Sequence, residues 1–340
     1  MKQLSFFNFD QGFFLIEELF EAYEECRKNK RTTTSALDFE IDYEPALLKL
    51  CHEINTGSYQ PDRMTTFILN EPVKREVFAA DFRDRIVHHL VIKKLNPLFE
   101  KIFIYDSYAC RTGKGTIFGI RRLDRFIRRC SRNYTRDCYV LKLDIQGFFM
   151  HIDRTILFNR LRDFIKRFYH HSNQSLLIDL CQKIINHDPT QNCKINGFKS
   201  DWDLLPRDKS LFHSPPHCGL PIGNLTSQSF ANFYFNDFDH FIKKTLGLSY
   251  YGRYVDDFII VHEEKEYLKN LVPKIKHFLF EHLRLTLHPK KIYLQHFSKG
   301  VPFLGAFIKP HRIYTQRRNT GRFYEAIRKQ NTVIKNRAPT

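Results

Sequence analysis

The stretch Tyr250–Val261, YYGRYVDDFIIV, places two adjacent aspartates, Asp256 and Asp257, inside a run that is otherwise aromatic and β-branched. Aspartate is depleted from strands, and neighbouring carboxylates repel each other. A hairpin accommodates both facts: YYGRY and FIIV form its strands, and the two acids project at its tip. Ordinary turn chemistry accounts for an Asp–Asp pair equally well. A second apolar segment, 138–144 (CYVLKLD), reads as a buried strand that also ends on an acid, Asp144. If the two strand ends converge, their carboxylates suit two Mg²⁺ ions about 4 Å apart, the arrangement used for in-line phosphoryl transfer.

The charge balance narrows the partner. The 340 residues contain 54 Lys and Arg against 37 Asp and Glu, a net charge of +17. This favours a polyanion such as nucleic acid over a membrane surface, although a generally basic soluble surface is the plainer reading. In GIRRLDRFIRRCSRN, helical spacing puts Arg121, Arg122, Arg125, Arg128, Arg129 and Arg132 within an arc of about 120°. Ile120, Leu123, Phe126, Ile127 and Cys130 fall opposite. The stripe is expected to contact a phosphate backbone. The preceding YACRTGKGT does not match a phosphate-binding P-loop. A basic loop against nucleic acid fits it, with Arg111 and Lys114 as contacts.

Hydrophobic residues make up 42% of the chain, enough for a globular protein with one large core or several lobes. The eight cysteines form no CxxC pair and sit singly in apolar stretches, the expected setting of reduced core thiols. The first twenty residues contain acids and lack a cleavage site, and no run approaches the ~20 apolar residues of a membrane span. A cytoplasmic location is expected.

Periodicity predicts helices over 13–28 and 44–55, with a basic polar link between them. A β-like segment spans 64–80, and a helix follows that stops near Pro97. Asp153 is the expected N-cap of a helix whose apolar face is Leu157, Leu161, Phe164, Ile165 and Phe168. Residues 186–218 read as a loop or small hairpin insertion. Further helices are expected over 227–244 and 264–283, strands near 291–296 and 302–308, and a basic helical tail. The irregular alternation implies an α+β, palm-like sheet rather than a doubly wound one.

Seven blocks in order complete the pattern: KREVFAADFRDRIVHH, YACRTGKGT, KLDIQGFFMHID, GLPIGNLTSQSFANFYFNDFD, RYVDDFIIV, LHPKKIYLQ and VPFLGAFI. Together they resemble the reverse transcriptase family over roughly residues 60–310. The resemblance implies a right-hand polymerase with an antiparallel palm sheet packed on helices. It would divide into an N-terminal helical extension (1–60), fingers (61–137), palm (138–165), a fingers insertion (166–218), palm (219–310) and a short or incomplete thumb (311–340). It implies that Asp144, Asp256, Asp257 and the carbonyl of Ile145 hold two Mg²⁺ ions, with Mn²⁺ able to substitute. Lys74 and Arg75 would grip an incoming dNTP, and Phe149 would close the site against a ribose 2′-hydroxyl. Ile222, Gly223 and Gln228 belong to the block beside the nascent base pair. Lys291 would protonate the leaving pyrophosphate, and Phe303 to Gly305 would form the primer grip on a cDNA/RNA heteroduplex. The reaction implied is attack of a primer 3′-hydroxyl on the α-phosphate.

Many reverse transcriptases have glutamine where this chain has Ile222 in LPIGNLTSQ. An aliphatic residue there, with Gln228 downstream, resembles the enzymes of diversity-generating retroelements. That implies copying of a template RNA with errors at adenines, and a basic, pentameric accessory protein as partner of a prokaryotic or phage-encoded enzyme. The alternative is an antiviral-defence or other retron-like reverse transcriptase. No RNase H, maturase or endonuclease segment of the kind other branches carry is expected. Two further classes stay in view: a non-catalytic RNA-binding protein, which would not need the three acids, and a metal-dependent nuclease, which would not need the KREVFAADFRDR or LPIGNLTSQ blocks.

Overall fold

The computed structural model describes residues 13–28 and 33–337. The expectations for residues 1–12, for the centre of the basic link (29–32) and for 338–340 lie outside them. The elements in chain order begin with α1 (Ile16–Arg27), α2 (Thr34–Ile41), α3 (Tyr43–Asn55), β1 (Thr65–Leu69), β2 (Arg75–Ala79) and α4 (Phe82–Ile102). Next come α5 (Thr116–Cys130), β3 (Tyr139–Asp144), α6 (Phe148–His151), α7 (Arg154–Phe168), α8 (Gln174–Asn186) and β4 (Lys194–Ile195). After these follow α9 (Leu225–Tyr234), α10 (Asn236–His240), β5 (Tyr251–Tyr254), β6 (Asp257–His262) and α11 (Lys265–Leu283). The last are β7 (Tyr293–His296), β8 (Val301–Phe303), β9 (Ala306–Lys309), β10 (Arg312–Thr315) and α12 (Arg317–Arg337). The architecture is α+β, as expected.

The chain forms two compact units. One contains the residues up to Phe103, Gln146–Asp237 and Phe280–Leu285. The other contains Ile104–Ile145, Phe238–Leu279 and the chain from Thr286 onward.

The second unit is organised by a four-stranded antiparallel sheet in the order β5-β6-β3-β7. Side chains alternate along a strand, so Val140, Lys142 and Asp144 share one face of β3, and Asp257, Ile259 and Val261 share the same face of β6. At the far end of that face Val140, Ile259 and Val261 pack against Leu123, Phe126, Ile127 and Cys130 of α5. Phe297, Val301, Phe303 and Ile308 close this core. The near end carries Lys142 and the acids. On the opposite face Phe258 meets Phe238, which in turn packs on Phe278 of α11.

The first unit pairs β1 with β2 in antiparallel register and β4 beside β1 in parallel. Helices α1 and α9 both pack on α4. Here the expectation of a stop near Pro97 is corrected, because α4 continues to Ile102. Proline removes one backbone donor and crowds the preceding turn. The last turn is nonetheless held by Phe99, which is buried and lies 5.1 Å from Phe233 and 5.6 Å from Phe164 between ring centroids. Two other expectations also change. A further helix, α2, starts at the end of the basic link and runs to Ile41, and the helix expected over 227–244 breaks at Phe235 between α9 and α10.

Candidate active site

The second unit holds the acids. Antiparallel register pairs Asp144 at the end of β3 directly with Asp257 at the start of β6. Tyr254 pairs with Asp257, so β5 and β6 are joined by a two-residue turn, Val255–Asp256. Val255 has φ +56°, the first-position geometry of a II′ hairpin turn, where glycine is usual. A β-branched residue there is strained, and the surroundings must hold it.

The holding device is Arg253. Its guanidinium is fully buried and donates to the carbonyl of Val255 at 2.9 Å. It also pairs with the equally buried Asp239 at 2.7 Å and reaches Ser107 Oγ at 3.3 Å. The Tyr251 hydroxyl donates to the same Asp239 carboxylate at 2.5 Å. The Arg253 backbone donates to Asp106 O and its carbonyl accepts from Tyr108 N, both at 2.9 Å. Gly252 is required beside it, because a Cβ there would meet the Tyr108 hydroxyl at 2.0 Å. Removing one member of a buried pair of this kind costs about 3–5 kcal/mol, since the other is left charged and alone.

Around the acids sit two lysines. Lys291 Nζ donates to both oxygens of Asp144, at 2.9 and 3.0 Å. Lys142 lies 3.1 Å from Asp257 Oδ2. The turn that delivers Lys291 is fixed to β3, with His288 N donating to Asp144 O at 2.8 Å. Burial, with the charge of Asp144 second, pushes Asp256 up to about 7. Burial likewise raises Asp257 to about 6, with Lys142 opposing. Asp257 Oδ1 is buried and accepts no hydrogen bond.

These are the properties of a site short of positive charge. Desolvated carboxylates, mutual repulsion and an oxygen without a donor all fit hard divalent cations, which take oxygen ligands. Among the described residues no group of three or more His, Cys, Asp or Glu side chains is placed to hold a metal ion as it stands. Lysine ammonium groups lie on Asp144 and Asp257 instead. Ile145, next to Asp144, is buried and forms an isolated bridge with Leu287.

The basic residues divide. Arg121, Arg125, Arg128 and Arg129 are exposed on α5. Arg122 turns inward to Asp106 at 2.6 Å and stacks over Phe126. Arg132 is exposed but lies beyond the helix end with φ +47°, so it is not part of the helical stripe. Arg111 donates to Ile104 O and Ser107 O, and Lys114 to Tyr105 O, so these two brace their own loop. Phe303 is fully buried in the core, which rules out direct side-chain contact with nucleic acid. It supports the turn Leu304–Gly305, where both residues have positive φ.

The first unit gathers the expected nucleotide residues. Lys74 and Arg75 stand at the start of β2. Phe149 and Ile222 pack on one cluster, Met64, Phe78, Ala80, Met150 and Leu211. Ile222 O accepts from Phe78 N at 2.8 Å, and Ala80 N donates to Asn224 Oδ1 at 3.1 Å, seating the 220–224 loop against β2. Gly223 permits this approach, since a Cβ there would sit 2.8 Å from Val77 Cγ1 and its φ is +122°. Gln228 is exposed on α9.

Sequence reasoning passed over Lys142, Arg253, Asp239 and Glu76. Lys142 had a signal, because it stands two residues before Asp144 and therefore on the same strand face. Arg253 was a charge inside an aromatic strand.

Residues 74–308 match the family described as reverse transcriptase (RNA-dependent DNA polymerase). The chain is 22% identical over 308 residues to the COX1/OXI3 intron 2 protein of Saccharomyces cerevisiae, covering 77% of this chain and 34% of that protein. It is 22% identical over 303 residues to protein YkfC of Escherichia coli, covering 79% and 71%. Its fold resembles apo telomerase from Candida tropicalis, with TM-score 0.54 at 13% identity, covering 75% of this chain and 55% of the other. Telomerase from Candida albicans in complex with a fragment of telomeric RNA gives 0.52 at 10% identity, covering 83% and 50%. The chain thus spans about a third of the yeast relative and about half of each telomerase.

Proposed function

The chain belongs to the reverse transcriptase family, and from that premise we propose that it is an RNA-directed DNA polymerase acting by two-metal nucleotidyl transfer. The observation that carries this reading is the register that pairs Asp144 with Asp257 beside the strained turn bearing Asp256. Asp144, Asp256 and Asp257, with the Ile145 carbonyl, would hold two Mg²⁺ ions. When bound, these would activate the primer 3′-hydroxyl and neutralise charge on the transferring phosphate.

The chain's own residues do the rest. Arg253 fixes the turn, and the pairing of β3 with β6 fixes the separation of the carboxylate-bearing backbones. Lys291, whose ammonium lies on Asp144, would donate a proton to departing pyrophosphate. Lys74 and Arg75 would bind the triphosphate through charge-assisted hydrogen bonds. Phe149 would wall off the 2′-hydroxyl. The exposed arginines of α5, on the helix that covers the acid-bearing face of the sheet, would hold the template RNA and the cDNA/RNA heteroduplex. In a primer-extension assay with dNTPs and Mg²⁺, Asp256→Asn combined with Asp257→Asn abolishes synthesis while RNA binding persists. Extension by that variant would defeat the reading.

The finer proposal is a diversity-generating retroelement enzyme, error-prone at template adenines, in a prokaryotic cytoplasm and working with a pentameric basic accessory protein. Its support is Ile222: an aliphatic side chain packed on the apolar cluster of Met64, Phe78, Ala80, Met150 and Leu211, where an amide would offer hydrogen bonds.

A further inference from the structure

The insertion between α8 and α9 has no part in the reading above, yet its centre is fastened to the strand that carries Arg75. Glu76 is 1% exposed, and its carboxylate accepts three hydrogen bonds, all from neutral donors of the insertion. Trp202 Nε1 donates at 2.6 Å, Ser210 Oγ at 2.8 Å and Leu211 N at 2.5 Å. A buried carboxylate without a cationic partner is expensive, and three converging donors are what make it tolerable. The anchor has two consequences for the residues expected to meet a nucleotide. By accepting from the Leu211 backbone N–H, Glu76 sets the position of Leu211, which packs in the cluster with Phe149 and Ile222. In the same segment the Asp203 carbonyl accepts a hydrogen bond from Lys74 Nζ.

We propose that the segment 199–213, anchored by Glu76, is a nucleotide-responsive wall beside Lys74, and that Glu76 is a positioning residue for dNTP binding. The Asp203 carbonyl occupies the Lys74 ammonium when no nucleotide is present. A triphosphate competes for it with anionic oxygens, and a charge-assisted bond outcompetes one to a neutral carbonyl. Release of Asp203 shifts the adjoining Trp202 relative to Glu76. The inference rests on the polymerase reading for the identity of the ligand.

Trp202 is the only tryptophan in the chain, so its fluorescence reports on this anchor alone. The experiment titrates dATP with Mg²⁺ into the full chain bound to a primer–template whose primer is chain-terminated, and measures primer extension in parallel. Trp202 emission is expected to change saturably over the dATP range that saturates extension, and Lys74→Ala to remove the response. Glu76→Gln should shift Trp202 emission to the red without nucleotide. It should also raise KM for dATP by about five-fold or more while kcat falls about two-fold or less. Should Glu76→Gln fail to fold, Ser210→Ala removes one donor and must raise KM in the same direction. Extension with flat Trp202 emission, or an unchanged KM in the variant that folds, overturns the inference and leaves the polymerase reading standing. Absence of extension by the wild-type chain overturns both.

Discussion

At the scale of single residues, the acids dominate the behaviour of the metal-free protein. Asp256 and Asp257 have higher pKa values in the fold than in an unfolded chain, because burial and neighbouring carboxylates oppose their ionisation. Such a group stabilises the fold while protonated. Its contribution is whole below pH ~4 and is lost as pH rises through about 7. The metal-free protein should therefore lose stability between about pH 4 and pH 7, and Asp256→Asn should remove most of that slope. Mg²⁺ near pH ~8, where both carboxylates are ionised, should raise the melting temperature of the wild type and not of the variant. Thermal melts across pH, wild type against variant, check this; parallel curves would refute it. Ile222 supports a prediction of a different kind. Ile222→Gln restores a hydrogen-bonding group among apolar neighbours and should raise fidelity opposite template adenines, read by sequencing the cDNA. An unchanged error spectrum would leave Ile222 as a packing residue only.

At the scale of elements, α5 separates what a helical wheel can and cannot foresee. Its buried stripe of Leu123, Phe126, Ile127 and Cys130 follows from spacing, as does the exposure of Arg121, Arg125, Arg128 and Arg129. The inward turn of Arg122 does not, because Asp106 belongs to a separate loop that no periodicity connects with it. Replacing the four exposed arginines with glutamine should weaken binding to any RNA sequence. It should also lower the salt slope by about 0.7–0.9 for each phosphate that is no longer neutralised. Filter binding across salt concentrations tests this, and an unchanged slope would assign the stripe to solvent. The hairpin of β5 and β6 shows the same division. Its existence is legible from the aromatic and β-branched runs on either side of the acids. Its strain at Val255 is not, because the stabilising Arg253–Asp239 pair joins residues in different elements.

At the scale of the whole molecule, the α+β class and the placement of the acids on adjacent strand ends were legible, since both rest on local pattern and ordered motifs. The anchoring of the insertion was hidden. Glu76 and its partners Trp202, Ser210 and Leu211 are separated by 126 to 135 residues, and nothing local marks them as partners. The two compact units were hidden for the same reason. The chain leaves the first unit after Phe103, returns at Gln146, leaves again after Asp237 and returns once more for Phe280–Leu285. That last short return supplies Leu283 O to the Tyr234 hydroxyl at 2.7 Å and Arg284 to Asp153 at 2.6 Å. A fragment ending at Asp237 lacks both ties and should show weak, non-cooperative melting by circular dichroism. A cooperative transition matching the full chain would contradict this.

The interleaving has a consequence for biosynthesis. A ribosome extends the chain at roughly 5–20 residues per second, and domains encoded in one continuous stretch can fold while the remainder is being made. Neither unit is encoded that way. The closing strands of the second unit and the last helical turn of the first are made after most of the other unit, so neither is complete until the ribosome has passed both. The long, aromatic-rich intermediates of the nascent chain are then a natural substrate for chaperones.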